Sequence, residues 1–283
     1  MSLLADAHVH FFATGYPGEA RSPVPGAGEE VAAYERIRIS SGVGDALVVG
    51  FEGADFAAGN NDYIRTLAAE RDWMHTTAYV AAHGRPSAAR ARAIFAAGHI
   101  GISIYAADTV AGRTIRDWPA EFWSECDQSG AVVSVNATPE AVEQLAGLPR
   151  TAPNCAFLFA HLGLPGRYAV APSAQVARTR LEPLLRLAEH PNCFVKISGL
   201  YAVADSRTAD PHDGATPFVT ACLRDFGASR CLWGSDFAPA LEYVSFEQCR
   251  DLRQLDSLSV AARQLVMGDN LRRLLAFGPG MRR

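Results

Sequence analysis

Ala46-Leu47-Val48-Val49-Gly50 carries no polar side chain, and its reading decides the fold. A run this short, apolar and β-branched fits a strand covered on both faces, the habit of parallel sheets buried between helices. Seven more runs share its character. With this one extended to 45–51, the eight occupy 3–9, 45–51, 76–81, 100–105, 131–136, 155–160, 193–198 and 230–235. The third and fourth carry the weakest pattern. Amphipathic stretches lie between the runs at 32–40, 62–71, 88–97, 119–129, 139–145, 178–189 and 216–226, and a last helix is expected over 260–276.

Strands alternating with helices imply parallel βαβ units. Eight such units in 283 residues predict a closed (β/α)8 TIM barrel, formed as a single domain over residues 1–283, because barrels run to roughly 250 residues as one unit. A doubly wound open sheet is the alternative. It calls for a Gly-rich phosphate turn after the first strand, and none follows residue 9. The net charge of −4 and the lack of a basic face argue against nucleic acid as a partner. No window holds the roughly 18 apolar residues of a membrane span, and no leader pattern opens the chain, so the expected location is the cytoplasm. The six cysteines show no CxxC spacing and are expected as buried thiols. Segments 11–30 and 201–215 are long, rich in Gly, Pro and Asp, and follow strand ends on the face where barrels carry their sites.

Three segments at strand ends carry chemistry. Asp6-Ala-His8-Val-His10 closes the first run. Residues two apart in a strand share a side, so His8 and His10 both face the barrel axis and can chelate one divalent ion. Ala160-His161-Leu-Gly closes the sixth run and Trp233-Gly-Ser-Asp236-Phe the eighth. Each has a bland alternative, packing histidines or an aspartate capping a helix. Together they place three of the eight histidines and a carboxylate at the ends of strands one, six and eight. These four, His8, His10, His161 and Asp236, read as a metal centre or a catalytic centre. Candidate substrate contacts are Asn136, Tyr105, Lys196, Tyr201, Arg207 and His212. Lys196 faces either the barrel interior or the helix layer. Arg113 and Arg116 are read as loop residues, and Asp6 as a support for a ligand histidine or for backbone.

Asp6-Ala-His-Val-His-Phe, Ala160-His-Leu-Gly, Val195-Lys-Ile-Ser-Gly and Trp233-Gly-Ser-Asp-Phe, with Gly268-Asp-Asn-Leu-Arg-Arg-Leu-Leu near the end, resemble the segments of amidohydrolase-2 type metal-dependent hydrolases. Gly59-Asn-Asn-Asp-Tyr adds a likeness to the branch of 2-pyrone-4,6-dicarboxylate lactonase and sugar lactonases. The resemblance runs from residue 6 to about 277. It implies that His8, His10 and His161, with Asp236 alongside, are the ligands of a metal or, in relatives that need none, that the histidines contact the scissile carbonyl; Asp236, activating water, and His161 are the implied catalytic residues. Ser103 and Asn136 stand where relatives often carry arginine and a histidine or bridging lysine, so at most one metal is implied.

The expected reaction is therefore opening of a lactone or ester C–O bond in a small, carboxylated substrate. The cofactor is one divalent ion, zinc first, or none. A decarboxylase with the same ligands is the leading rival, followed by a non-catalytic barrel. A two-metal hydrolase lacks its bridging carboxylate, and an oxidoreductase lacks a dinucleotide fingerprint. A homo-oligomer is compatible with the sequence.

Overall fold

Val43–Val49 (β2) is the strand that the apolar run predicts. In the computed structural model, which describes residues 3–18, 24–205 and 211–276, it pairs in parallel with Leu4–Val9 (β1) on one side and Met74–Tyr79 (β3) on the other. Gly101–Ala106 (β4), Val132–Ala137 (β5), Ala156–Phe159 (β6), Cys193–Ile197 (β7) and Cys231–Trp233 (β8) continue the sheet in chain order. The fold is the expected (β/α)8 barrel. Glu30–Ser41 (α1), Asn60–Ala68 (α2), Ala88–Ala96 (α3), Thr109–Arg116 (α4), Ala120–Ser129 (α5), Pro139–Leu145 (α6), Leu148–Thr151 (α7), Ala174–Arg186 (α8), Leu200–Val203 (α9) and Thr216–Phe226 (α10) follow the strands. Phe246–Arg250 (α11), Val260–Gln264 (α12) and Asn270–Ala276 (α13) complete the chain.

The strand register sorts the side chains into two faces. Ala46, Val48, Ile102, Ile104, Val133, Val135, Val195 and Ile197 join the large cluster shared with the helices. Ala5, Ala7, Leu47, Val49, Val132, Leu158 and Leu232 point the other way and pack with Leu271 and Leu275 of α13. The last helix thus plugs the floor of the barrel. Above that floor the interior turns polar, with Ser103, Ser134 and Lys196 all buried.

Among the described residues no regular ladder joins β8 to β1, only an isolated Val9–Phe237 bridge. Closure falls to the residues just after β8: the Asp236 amide donates to the His8 carbonyl at 2.8 Å and the His10 amide to the Phe237 carbonyl at 2.5 Å. The buried Asp6 carboxylate reinforces this seam. Its Oδ1 accepts from the Ser235 amide at 2.8 Å and the His8 amide at 3.2 Å, and its Oδ2 from the Tyr34 hydroxyl at 3.0 Å. Strand parity alone would put Asp6 on the side of His8. A register irregularity between Asp6 and Val9 supplies an extra residue, a β-bulge that re-aims side chains, so Asp6 faces α1 while His8 faces inward.

Three expectations are corrected. The segment holding Arg113 and Arg116 is helix α4, started by the Asp108 side chain accepting from the Ala111 amide, because a good N-cap rescues a short helix. The last helix is not continuous: Leu265–Asp269 winds as a π-helix between α12 and α13. Strand β3 starts and stops two residues early, ending at Tyr79. Among the described residues no helix is long and apolar enough to cross a membrane, and all six cysteines are buried and unpaired.

Asp6→Ala strips the acceptor from three buried donors, each worth about 1–3 kcal/mol when left unsatisfied. Urea unfolding should show a loss of about 3 kcal/mol or more, against about 1 kcal/mol for Tyr34→Phe. Equal small losses would deny Asp6 its role at the seam.

Candidate active site

His8 and His10 leave the inner face of β1 with their Nε2 atoms 3.0 Å apart. Asp236 Oδ1 lies 3.6 Å from each Nε2, and Asp236 Oδ2 lies 3.9 Å from His161 Nε2. The His8 and His161 ring centroids are 4.6 Å apart. Side chains drawn from β1 and the ends of β6 and β8 thus meet at one point above the barrel interior. Two of them sit on strained backbone: His161 has φ 53° and Asp236 φ 60°, the left-handed region that costs a non-glycine residue energy and that clusters at functional sites.

Each ring has a second partner. His10 Nδ1 lies 2.8 Å from the Val49 carbonyl, and His161 Nδ1 3.1 Å from Ser198 Oγ. His8 Nδ1 lies 3.1 Å from Lys196 Nζ, which also donates to Ser134 Oγ at 2.8 Å. Lys196 therefore faces the interior, the first of the two orientations left open by the sequence. Tyr201 of α9 donates its hydroxyl to Asp236 Oδ2 at 2.6 Å and stacks on Tyr243, with centroids 4.8 Å apart.

Burial governs the charges. It drives His10 and His161 down to about 4 and His8 well below its usual value; Lys196 pushes His8 and His161 further down, while Asp236 pulls His10 back up. All three rings are neutral at pH 7, so their approaches to Asp236 are polar contacts rather than ion pairs. Burial raises the Asp236 carboxyl to about 6, against the opposing pull of His10, the Tyr201 hydroxyl and Lys196. Lys196 falls to about 7, again through burial, with Asp236 and Asp6 resisting. A carboxylate with a raised pKa beside neutral imidazoles is an arrangement for moving a proton.

The donor set suits a divalent ion. His8, His161 and Asp236 each present a ligand atom within 4.8 Å of the others. His10 Nε2 is adjacent, and its Nδ1 rests on a carbonyl as second partners of metal-bound histidines commonly do.

Aromatic side chains wall the mouth. Phe12 stacks on His10 at 5.9 Å, Phe56 packs on Phe12 at 5.0 Å, and Phe51 meets Tyr79 at 5.7 Å and Tyr105 at 4.9 Å. Two asparagines of α2 hold this wall. Asn60 accepts from the Phe51 amide and donates to the Phe11 carbonyl, while Asn61 bonds both backbone groups of Tyr79. Glu52 grips the Asn61 amide and side chain. Tyr105 lies beside Asn136 in the β4–β5 register, and its buried hydroxyl has no partner among the described residues.

The structure therefore brings His8, His10, His161, Asp236, Lys196 and Tyr201 together, with Tyr105 and Asn136 at the ends of the neighbouring strands. His212 is elsewhere, its Nε2 3.0 Å from the Gln248 carbonyl of α11. Arg207 lies outside the described residues. The roles of Ser134 and Ser198 were missed in the sequence; the available signal was parity, because each stands two residues from a named candidate, Asn136 or Lys196.

A family model described as Amidohydrolase matches residues 5–277. A search of the curated proteins finds no match. Among solved structures, an amidohydrolase from Burkholderia multivorans with bound zinc aligns with TM-score 0.76 at 22% identity, over 97% of this chain and 99% of that one. A probable 2-pyrone-4,6-dicarboxylic acid hydrolase from Acinetobacter baumannii with bound citric acid aligns at 0.72 and 15%, over 98% and 100%. A 5-carboxyvanillate decarboxylase from Novosphingobium aromaticivorans with manganese aligns at 0.62 and 13%, over 96% and 95%. At these identities the structural likeness speaks for the fold.

Gly199 admits the His161 ring. A Cβ there would lie 2.2 Å from His161 Nδ1, at a backbone φ of +57°. Gly199→Ala should push the ring off Ser198 and lower the melting temperature; crystallography of the variant should show His161 rotated. An unmoved ring would contradict this close fit.

Proposed function

The chain belongs to the amidohydrolase family, and on that premise we propose that it hydrolyses the C–O bond of a lactone or ester in a small substrate, with Asp236 as the base that activates water. The observation that carries this reading is the meeting of Asp236 with three neutral imidazoles at the mouth of the barrel. A carboxylate on the substrate is the feature suggested by relatives named for dicarboxylic and carboxylated compounds. The aromatic wall suits a planar or ring-shaped acyl group.

Asp236 is held by Tyr201 at Oδ2, which leaves Oδ1 toward the centre. A water beside Oδ1 gives its proton to Asp236 as its oxygen attacks the carbonyl carbon. The carbonyl oxygen gains negative charge and is met by the ring N–H groups available among the imidazoles, a stabilisation that rises in the transition state. When the tetrahedral intermediate collapses, the C–O bond breaks and Asp236 returns its proton to the departing alkoxide. The water oxygen ends in the acid and both its protons are accounted for.

The residues that would hold an ion are His8, His10, His161 and Asp236. Such an ion, when bound, supplies Lewis acidity and lowers the pKa of its water towards about 7. Zinc is the first choice, following the relative crystallised with it. We place the protein in the cytoplasm, acting on a small molecule without nucleic acid or membrane.

A second reading is decarboxylation. The same raised pKa of Asp236 lets it donate a proton to a carbon that has lost CO2. The two readings have opposite signs with pH. A base must be ionised, so hydrolysis should fall as pH drops through about 6. A proton donor must be protonated, so CO2 release should rise over the same range.

Asp236→Asn with an intact fold should lower lactone or ester turnover at least about 100-fold, on the scale of a lost general base. Normal turnover in that variant refutes the assignment. Tyr201→Phe removes a hydrogen bond that favours the ionised carboxylate, so the acid limb of the pH profile should move to higher pH. An unmoved limb would detach it from Asp236.

A further inference from the structure

Glu30, the first residue of α1, carries a carboxylate in a residue only 1% exposed. A carboxylate taken out of water needs donors, and two backbone amides of the segment leaving β1 supply them. Oε2 accepts from the Phe12 amide at 2.7 Å and Oε1 from the Tyr16 amide at 2.5 Å. Between these amides lies a turn, closed by the Gly15 amide on the Phe12 carbonyl at 3.0 Å. Gly15 takes φ +75°, and a Cβ there would lie 2.8 Å from the Ala27 nitrogen. One carboxylate thus brackets the whole turn.

The peptide unit between Phe11 and Phe12 is held at both poles. Its N–H goes to Glu30, and its carbonyl accepts from Asn60 Nδ2 at 2.7 Å. A peptide unit is planar, so fixing both poles fixes its tilt and the direction in which the Phe12 side chain leaves the chain. The Phe12 ring then lies flat on His10, with 12° between the planes and centroids 5.9 Å apart. Phe12 is 3% exposed, so its ring packs against the imidazole and Phe56 rather than water.

We infer that Glu30 is a positioning residue for the reaction: by gripping the Phe12 and Tyr16 amides together it holds Phe12 flat on His10 and fixes the plane of that imidazole. The Val49 carbonyl anchors the His10 ring at Nδ1, and a ring held at one edge can still tilt about that contact. The flat stack of Phe12 takes up this freedom. Glu30 touches no reacting atom; it acts through Phe12. The inference rests on the reading of the His10–Asp236 cluster as the place where substrate reacts.

The test joins amide hydrogen exchange to a double-mutant cycle on the full-length protein. Burial raises the Glu30 carboxyl to about 7 against the pull of its two amides, so the measurements belong at about pH 8, where it is ionised. In the wild-type protein the Phe12 and Tyr16 amides should exchange at least about 100-fold more slowly than free amides. Fast exchange there overturns the inference without any variant. Glu30→Gln keeps the shape but sets an NH2 group against one of the two amides. That amide should exchange at least about tenfold faster, the loss of one bond to a charge, while the amides of β5 keep their rates. Faster exchange throughout would mark a general loss of stability and overturn the specific grip.

Turnover is read with 2-pyrone-4,6-dicarboxylate and p-nitrophenyl acetate as the lactone and ester probes. Glu30→Gln should lower kcat about tenfold, on the scale of a lost supporting partner, with KM within about twofold. Phe12→Leu removes the ring through which Glu30 acts. In that background Glu30→Gln should lower kcat by less than about twofold more, the non-additivity of residues acting in series. An equal loss in both backgrounds overturns the inference. A wild-type protein that turns over neither probe counts against lactone and ester hydrolysis, and the exchange rates then decide the role of Glu30 by themselves.

Discussion

The hydrogen bonds that close the barrel are made by the residues that carry its chemistry. The Asp236 amide reaches the His8 carbonyl, and the His10 amide reaches the Phe237 carbonyl. Everything at the mouth depends on this seam, because it sets the distance between the carboxylate and the histidine pair. The Asp6 carboxylate stands behind it, gathering the amides of His8 and Ser235 and the hydroxyl of Tyr34 into one buried cluster. The left-handed backbone at Asp236 is sustained by the same bonds, which over-determine a conformation the chain would not adopt alone.

Burial then does to the charges what closure does to the geometry. The imidazoles are neutral because their cations have been taken out of water, and the same loss of water makes Asp236 a reluctant anion. Lys196 is the positive counterpart in this buried volume. A site that is buried, polar and mutually hydrogen-bonded costs the fold stability unless every member is satisfied. The Tyr105 hydroxyl, left over at the end of β4, and the buried Thr77 hydroxyl of β3 have no partner among the described residues.

Much of this was legible in the sequence, for reasons that differ by element. Doubly covered strands announce themselves through unbroken apolar runs, and β2, β5 and β7 lie within about two residues of where those runs placed them. The histidine pair was readable because i and i+2 in a strand share a side. What resisted reading was local backbone that breaks a period. The bulge after Asp6 turned that carboxylate away from His8, although parity put them together. Helix α4 was hidden by Gly112 in its middle, which weakens a helix on propensity; the residue is small because a Cβ would lie 2.9 Å from the Ala141 carbonyl of α6. The contacts of His161 with Ser198 and of His8 with Lys196 join residues far apart in the chain, and no single segment encodes them. The Asn60-Asn61 pair was noticed only as part of a resemblance, yet its two amides tie three strand ends together.

The plug formed by Leu271 and Leu275 beneath the strands has a bearing on traffic. Among the described residues the floor is closed by hydrocarbon, and the interior opens toward the aromatic side chains of the mouth. Reactant and product that share this opening use it in turn, and a molecule lodged there blocks departure as surely as it blocks arrival.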